Sequence, residues 1–213
     1  MGKISQGVYG GFSGKLGNLI GGSWKGIAYM RVKPANVSNP RTEGQVNQRT
    51  KFTGALQFLQ PLKDFIKVGF KGSANKMSEF NSAMSYTLSN AITGVAPDFI
   101  VDYSKALLSR GSLPGALNPL ASSTVAGSVV VSWDDNTLNG TASATDKSMI
   151  ALYNPNKAEA IFTLEGGSRA TGTETLAVPT NYSDDDLEAY ISFKSLDGTS
   201  ISNSVYIGSV TVA

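Results

Sequence analysis

The spacing of hydrophobic positions changes once along the chain. Up to about residue 94 they recur mostly at helical intervals, after a Gly-rich opening. From about residue 95 they alternate with period two. The second stretch predicts strands at SVVVSW (128–133), MIALY (149–153), AIFTLE (160–165), TETLAVP (173–179), LEAYISF (187–193) and ISNSVYIGSVTV (201–212), with ALLSRGSL (106–113) as the opening strand. Turn residues separate them at the spacing of a β-sandwich. Leu196-Asp197-Gly198-Thr199 reads as the hairpin turn before the last strand. Val129, Val131 and Trp133 share a face and are expected in the core, as are Leu187, Ala189, Ile191 and Phe193. In the last strand Val205 and Ile207 are out of phase with Val210 and Val212. Gly208 between them predicts a bulge that restores the inward face.

The helical stretch starts with Thr42 and Gln45, which fit a capping box. Val46, Thr53, Leu56 and Leu59 follow at helical spacing, beside Phe52 and Ala55. Pro61 must kink this helix or open a new one, since it has no N–H to donate. Leu62, Phe65 and Ile66 continue the apolar stripe, and Gly69 and Lys71-Gly72-Ser73 end it. A further helix is predicted from about Asn75 to Ile92, with Met77, Phe80, Met84, Leu88 and Ala91 on one face and Gly94 at its C′ position. Phe52, Met77, Phe80 and Met84 are expected in the core. The helices are expected to cover each other or the N-terminal hairpins.

Before the helices, nine Gly occur in the first 26 residues. Gly21-Gly22 reads as a two-residue turn between Leu16–Ile20 and a strand Ser23–Lys33. Alternation along that strand puts Trp24, Ala28, Met30 and Val32 on a core face. Lys25, Ile27, Tyr29, Arg31 and Lys33 then form a basic face with an aromatic in it. The expected class is α+β: a Gly-rich β-hairpin region with two amphipathic helices, then an immunoglobulin-like antiparallel β-sandwich. The expected domains are a basic one over 1–94 and an acidic one over 95–213.

Charge sharpens the division. Residues 1–76 hold 12 Lys and Arg against Glu43 and Asp64, a net of +10, although the whole chain is only +2. The remaining residues hold 6 basic and 14 acidic side chains, a net of −8. Such asymmetry implies a charged partner for one end, or copies meeting head to tail. The candidate contact residues are Lys25, Tyr29, Arg31 and Lys33 on the basic strand face, Arg41, Arg49 and Lys51 near a helix N-terminus, and Asp184, Asp185 and Asp186 in an acidic loop.

Chemistry is constrained by what is missing. There is no His and no Cys, which removes His-based triads, His- or thiolate-ligated zinc and Cys nucleophiles. The Asp184–Asp186 run reads as a solvated turn rather than paired carboxylates across a cleft, and it lacks EF-hand spacing. GGFSGKLGN loosely resembles a P-loop but lacks its Gly-Lys-Ser/Thr ending and a following helix. No catalytic residue, cofactor or metal is expected. No signal peptide and no membrane span are read from the sequence, so a cytoplasmic or virion-associated protein is expected.

VVVSWDDN is similar to the second strand of a fibronectin type III or related immunoglobulin-like module, where a Trp closes the core. That resemblance gives the role to Trp133. Leu-x-Val-Pro at 176–179 is similar to the strand before that fold's tyrosine corner, but Tyr190 falls on the face opposite Ile191 and Phe193 and departs from the corner pattern. Over most of its length the chain resembles a family of uncharacterised bacterial proteins classed as a domain of unknown function. The resemblance lies in GGFSGKLGNLIGGSWKGIAYMR, SNPRTEGQVNQRTKF and the closing SNSVYIGSVTV. Segments similar to NPRT-x-x-Q-x-x-R-x-x-F in phage and prophage structural proteins imply an assembly role. The expected function is a non-enzymatic structural or virion-type protein whose partner is itself or another structural protein. Basic Lys25, Arg31 and Lys33 would dock the acidic loop of a neighbour, and a strand edge near residues 4–20 would add to a neighbouring sheet. The alternative is a nucleic-acid-binding protein acting through its basic half.

Overall fold

The computed structural model describes residues 2–3, 11–36, 39, 41–74 and 76–213. The chain forms two compact units, Met1–Gln45 and Val46–Ala213. This division differs from the expected boundary at residues 94–95, and the reason lies in where the helices find their apolar partners.

The second unit contains a seven-stranded sandwich. One sheet is ordered β10-β9-β12-β13, from β9 (Lys147–Asn154), β10 (Glu159–Thr163), β12 (Asp186–Lys194) and β13 (Val205–Thr211). The other is ordered β11-β8-β7, from β7 (Leu117–Ser122), β8 (Ser128–Asp134) and β11 (Thr173–Ala177). All pairings in both sheets are antiparallel. Six predicted strands are present. The opening strand is not 106–113 but β7, because residues 106–113 are tied down by other contacts. The Ser204 hydroxyl accepts from Leu108 N at 2.8 Å, and Arg110 N donates to Gly69 O at 2.9 Å.

Between the sheets lie Val129, Val131, Trp133, Ile150, Leu152, Leu187, Ala189, Ile191, Phe193, Val210 and Val212. The bulge forms as expected. Pairing shifts between Ala189, opposite Gly208, and Tyr190, opposite Tyr206, so Ile207 is skipped. Trp133 is only 4% exposed and meets Phe193 edge-on at 5.6 Å. Its Nε1 donates to Arg169 O at 2.8 Å.

Arg169 closes this core from one end, fully buried. Its guanidinium lies 3.9 Å from the centre of the Phe193 ring and donates to Asp146 Oδ2 (3.1 Å), Asn136 Oδ1 (2.5 Å), Pro114 O (2.9 Å) and Gly115 O (3.3 Å). A buried cation is tolerable only when paired and hydrogen-bonded in this way.

The outer face of the four-stranded sheet is also buried. Met149, Ala151, Tyr153 and Tyr190 form one core with Ala55, Phe58 and Leu59 of α1 (Glu43–Leu59), Phe65 and Ile66 of α2 (Lys63–Gly69), and Ala83 and Met84 of α3 (Glu79–Asn90). The helices thus cover the sandwich sheet rather than only one another. Pro61 separates α1 from α2 rather than kinking a longer helix. Ser78 caps α3, its hydroxyl accepting from Asn81 N at 3.2 Å. The expected start at Asn75 lies outside the described residues. Gly94 is not a helix C′ residue. It sits at φ +93° in the hairpin of β5 (Ile92–Val95) and β6 (Asp98–Val101), where a Cβ would strike Asp98 O. Phe80 and Met84 join this core, but Phe52 (46% exposed) and Met77 (39%) do not. The buried positions of α1, Ala55, Phe58 and Leu59, are centred roughly 70° around the helix from Phe52, which leaves Phe52 at the edge of that face.

In the first unit, β2 (Gly14–Leu16), β3 (Leu19–Trp24) and β4 (Ile27–Val32) form a meander, and β1 (Gly2–Lys3) pairs with β4. The turns fall at Gly17-Asn18 and Lys25-Gly26, not at Gly21-Gly22. Gly21 is a strand residue over which Phe12 lies; a Cβ there would come within 2.5 Å of the ring and of Phe12 O.

Replacing Trp133 with Ala should cost about 3–5 kcal/mol, as expected for a large aromatic lost from a core. Chemical denaturation measures this, and a loss below about 1 kcal/mol would contradict the burial. Limited proteolysis should leave a core that starts near residue 46 and keeps the helices. A stable fragment starting near residue 95 would mean that the helix layer is dispensable.

Candidate interaction surface

The sheet of the first unit brings together side chains that sequence alternation had separated. Residues paired across antiparallel strands share a face. Trp24 pairs with Ile27, Gly22 with Tyr29, and Ile20 with both Arg31 and Lys15. One face therefore carries Lys15, Ile20, Trp24, Ile27, Tyr29 and Arg31. The other carries Leu16, Leu19, Ala28, Met30 and Val32. Trp24 thus belongs with the basic residues, not with Met30 and Val32. The two-residue turn at Lys25-Gly26 resets the alternation that holds along an unbroken strand. A Lys-Gly step between two apolar runs was the signal for this turn.

Neither face is core. Leu16 is 67% exposed, Val32 66% and Trp24 55%, and Met30 is also exposed. The expected burial of Trp24, Met30 and Val32 fails; Gly11 and Phe12 lie against Ala28 and Gly21 and leave Met30 and Val32 exposed. Tyr29 is half-buried for a local reason. Its ring lies across Gly22, where a Cβ would stand 2.9 Å from the hydroxyl and 3.0 Å from the ring carbon bearing it. Gly22 thereby leaves room for the end of an aromatic ring beside the strand. Lys15, Arg31 and Lys33 are exposed, and Lys25 occupies the turn at φ +47°.

The remaining candidates are dispersed. Arg41 and Arg49 are exposed, and Lys51 lies 4.6 Å from the centre of the Phe99 ring. The acidic loop is held within its own unit. Asp185 accepts from Lys157 Nζ and from Asn154 Nδ2 (2.8 Å), Asp186 accepts from Thr211 Oγ1 at 2.5 Å, and Asp184 is exposed at φ +63°. Lys157 holds the Asp185 carboxyl below the usual carboxylate range. Residues 4–10 of the proposed strand edge lie outside the described residues.

Perturbed titration points to active sites when the group lines a cleft. Here the raised values belong to tyrosines of the interior instead. Burial raises the Tyr153 hydroxyl to about 12, with Tyr103 adding to the effect. Burial likewise raises Tyr190, whose hydroxyl donates to Tyr103 O at 2.8 Å, and Tyr206, whose hydroxyl donates to Glu188 Oε2 at 2.5 Å. Two open clefts of about 410 and 360 Å³ flank Arg110, lined chiefly by Ser, Thr and Asn and by no carboxylate. Among the described residues no group of acidic side chains is placed to hold a metal ion. No described helix is long and apolar enough to cross a membrane.

These tyrosines stabilise the fold in their protonated form, because their folded pKa values lie above the unfolded value of about 10. Stability should be complete below pH ~10 and fall as pH rises towards the folded value near 12 set by Tyr153. Urea midpoints and tyrosinate absorbance followed together should change in step. Tyrosines that all ionise near pH ~10 with no loss of stability would contradict the assignment.

Comparison with known proteins places most of the chain. Residues 11–208 match the sequence profile DUF6266, described as a family of unknown function. No curated protein matches the sequence. Among solved structures, the fn3 domain of the human collagen alpha-1(XX) chain is similar at 16% identity and a TM-score of 0.35, over 49% of this chain and 92% of that one.

Proposed function

The chain belongs to the DUF6266 family, and we propose that it is a non-enzymatic structural protein that assembles with copies of itself through its N-terminal sheet. The observation that carries this reading is the apolar face of that sheet, where Leu16, Met30 and Val32 stand exposed. A sheet with exposed apolar side chains is more stable when a further layer covers them. A second copy can supply that layer.

Charge has the supporting part. The first unit holds six Lys and Arg against Glu43, while the second holds 12 against 15 acidic side chains. Pairs of exposed charges contribute about 0–1 kcal/mol each, so apolar burial must hold the assembly and charge orients it. With Asp185 and Asp186 engaged inside their own unit, the basic residues of a neighbour have Asp184 and the general negative field of the second unit to approach. The lack of His, of Cys and of any carboxylate in the Arg110 clefts supports a role without catalysis. The opposite, basic face of the same sheet favours the second reading, nucleic-acid binding by the first unit.

Light scattering on the intact protein should show association that grows with concentration. The double variant Leu16→Lys and Val32→Lys should restore the monomer without lowering the urea midpoint of the sandwich. A wild-type protein that stays monomeric at all concentrations and salt levels would overturn self-assembly.

A further inference from the structure

We infer that the basic face of the β2–β3–β4 sheet is a binding surface for single-stranded nucleic acid, with Trp24 and Tyr29 as base-stacking platforms and Lys15, Arg31 and Lys33 as phosphate contacts. The inference goes beyond self-assembly and uses the opposite side of the sheet from Leu16, Met30 and Val32.

The geometry has three parts. First, pairing of Trp24 with Ile27 and of Gly22 with Tyr29 puts both aromatic residues on one face, one pleat apart along β3. Second, their rings are presented differently. Trp24 is 55% exposed, a large apolar side chain held in water. The hydroxyl end of the Tyr29 ring lies over Gly22, and the side chain is half-buried on the same face. A Cβ at that position would collide with the ring and displace it. Third, Lys15 and Arg31 flank Ile20 in the next row of the same face, and Lys33 follows at the end of β4. Glu43 is the only carboxylate in Met1–Gln45, so the local field is positive throughout.

This combination selects the ligand. Aromatic rings beside a row of cations match unstacked bases on a phosphate backbone, which every base can use through its π-face. A duplex keeps its bases stacked and offers these rings no partner. An acidic peptide would satisfy the cations but leave Trp24 without a flat apolar group to cover it.

Trp24 also supplies the readout. The chain has two Trp residues, and Trp133 is buried in the sandwich. Titration of the intact protein with oligodeoxythymidylate should quench the emission of Trp24 and leave that of Trp133 unchanged. With three phosphate contacts, log K should fall against log salt with a slope of about −2. Trp24→Ala should weaken binding about 10-fold, while Trp24→Phe should retain most of it. Changing Lys15 and Arg31 to Gln should flatten the salt slope. Binding of Trp24→Phe can then be read by anisotropy of a labelled oligonucleotide, and retained binding shows that the sheet is still folded.

Several results would overturn the inference. One is absence of quenching, and another is equal affinity for duplex and single strand. A third is quenching by poly-glutamate to the same extent, which would make the surface an acidic-protein contact. Trp24 emission that changes with protein concentration alone, and is lost in Trp24→Ala together with self-association, would make this face an interface between copies. If instead Leu16→Lys and Val32→Lys abolish association but leave oligonucleotide binding intact, the two faces act separately and self-assembly and nucleic-acid binding stand or fall independently.

Discussion

The second unit depends on one sheet being buried on both sides. Strands β9 and β12 turn Ile150, Leu152, Leu187, Ala189, Ile191 and Phe193 towards the other sheet of the sandwich. They turn Met149, Ala151, Tyr153 and Tyr190 towards the helices. Phe58 of α1 meets the Tyr153 ring edge-on at 5.0 Å, and Phe65 of α2 meets Phe162 of β10 at 6.0 Å. Stripping off the helices would expose this aromatic layer to water. The helices are therefore an outer layer of the sandwich rather than a domain beside it, and every other boundary in the chain follows from that.

Burial on both faces constrains the polar groups as well. Each tyrosine hydroxyl in this layer needs a partner, and Tyr190 finds the Tyr103 carbonyl while Tyr206 finds Glu188. At the end of the other core, Arg169 spends its guanidinium on Asp146, Asn136 and two carbonyls. These buried polar groups are thus occupied in holding the interior. The first unit differs: its small sheet has one face with exposed apolar side chains and another that is basic and aromatic.

Much of the architecture is legible in the residues. Period-two runs bounded by turn residues locate six of the seven sandwich strands, and the phase change around Gly208 locates the bulge. VVVSW places Trp133 in the core because its face also carries Val129 and Val131. The helix layer was legible too. MIALY has no polar alternation, and such a run marks a strand buried on both faces.

The candidate surface was half legible. Composition alone determined that the N-terminal region is basic and Gly-rich, and that neither His nor Cys chemistry is available. Periodicity determined which residues alternate, but not where the alternation restarts. A strand period is a local property, whereas a face is a property of paired strands. Only the register of β3 against β4, set by the Lys25-Gly26 turn, decided that Trp24 stands beside Tyr29 and Arg31. Likewise helical spacing determined that 43–90 is largely helical, but burial of Phe58 rather than Phe52 was decided by which side of α1 meets Tyr153. Apolar residues specify that something must cover them; which surface does so is a competition among all surfaces of the chain, and it is settled only when the whole chain has folded.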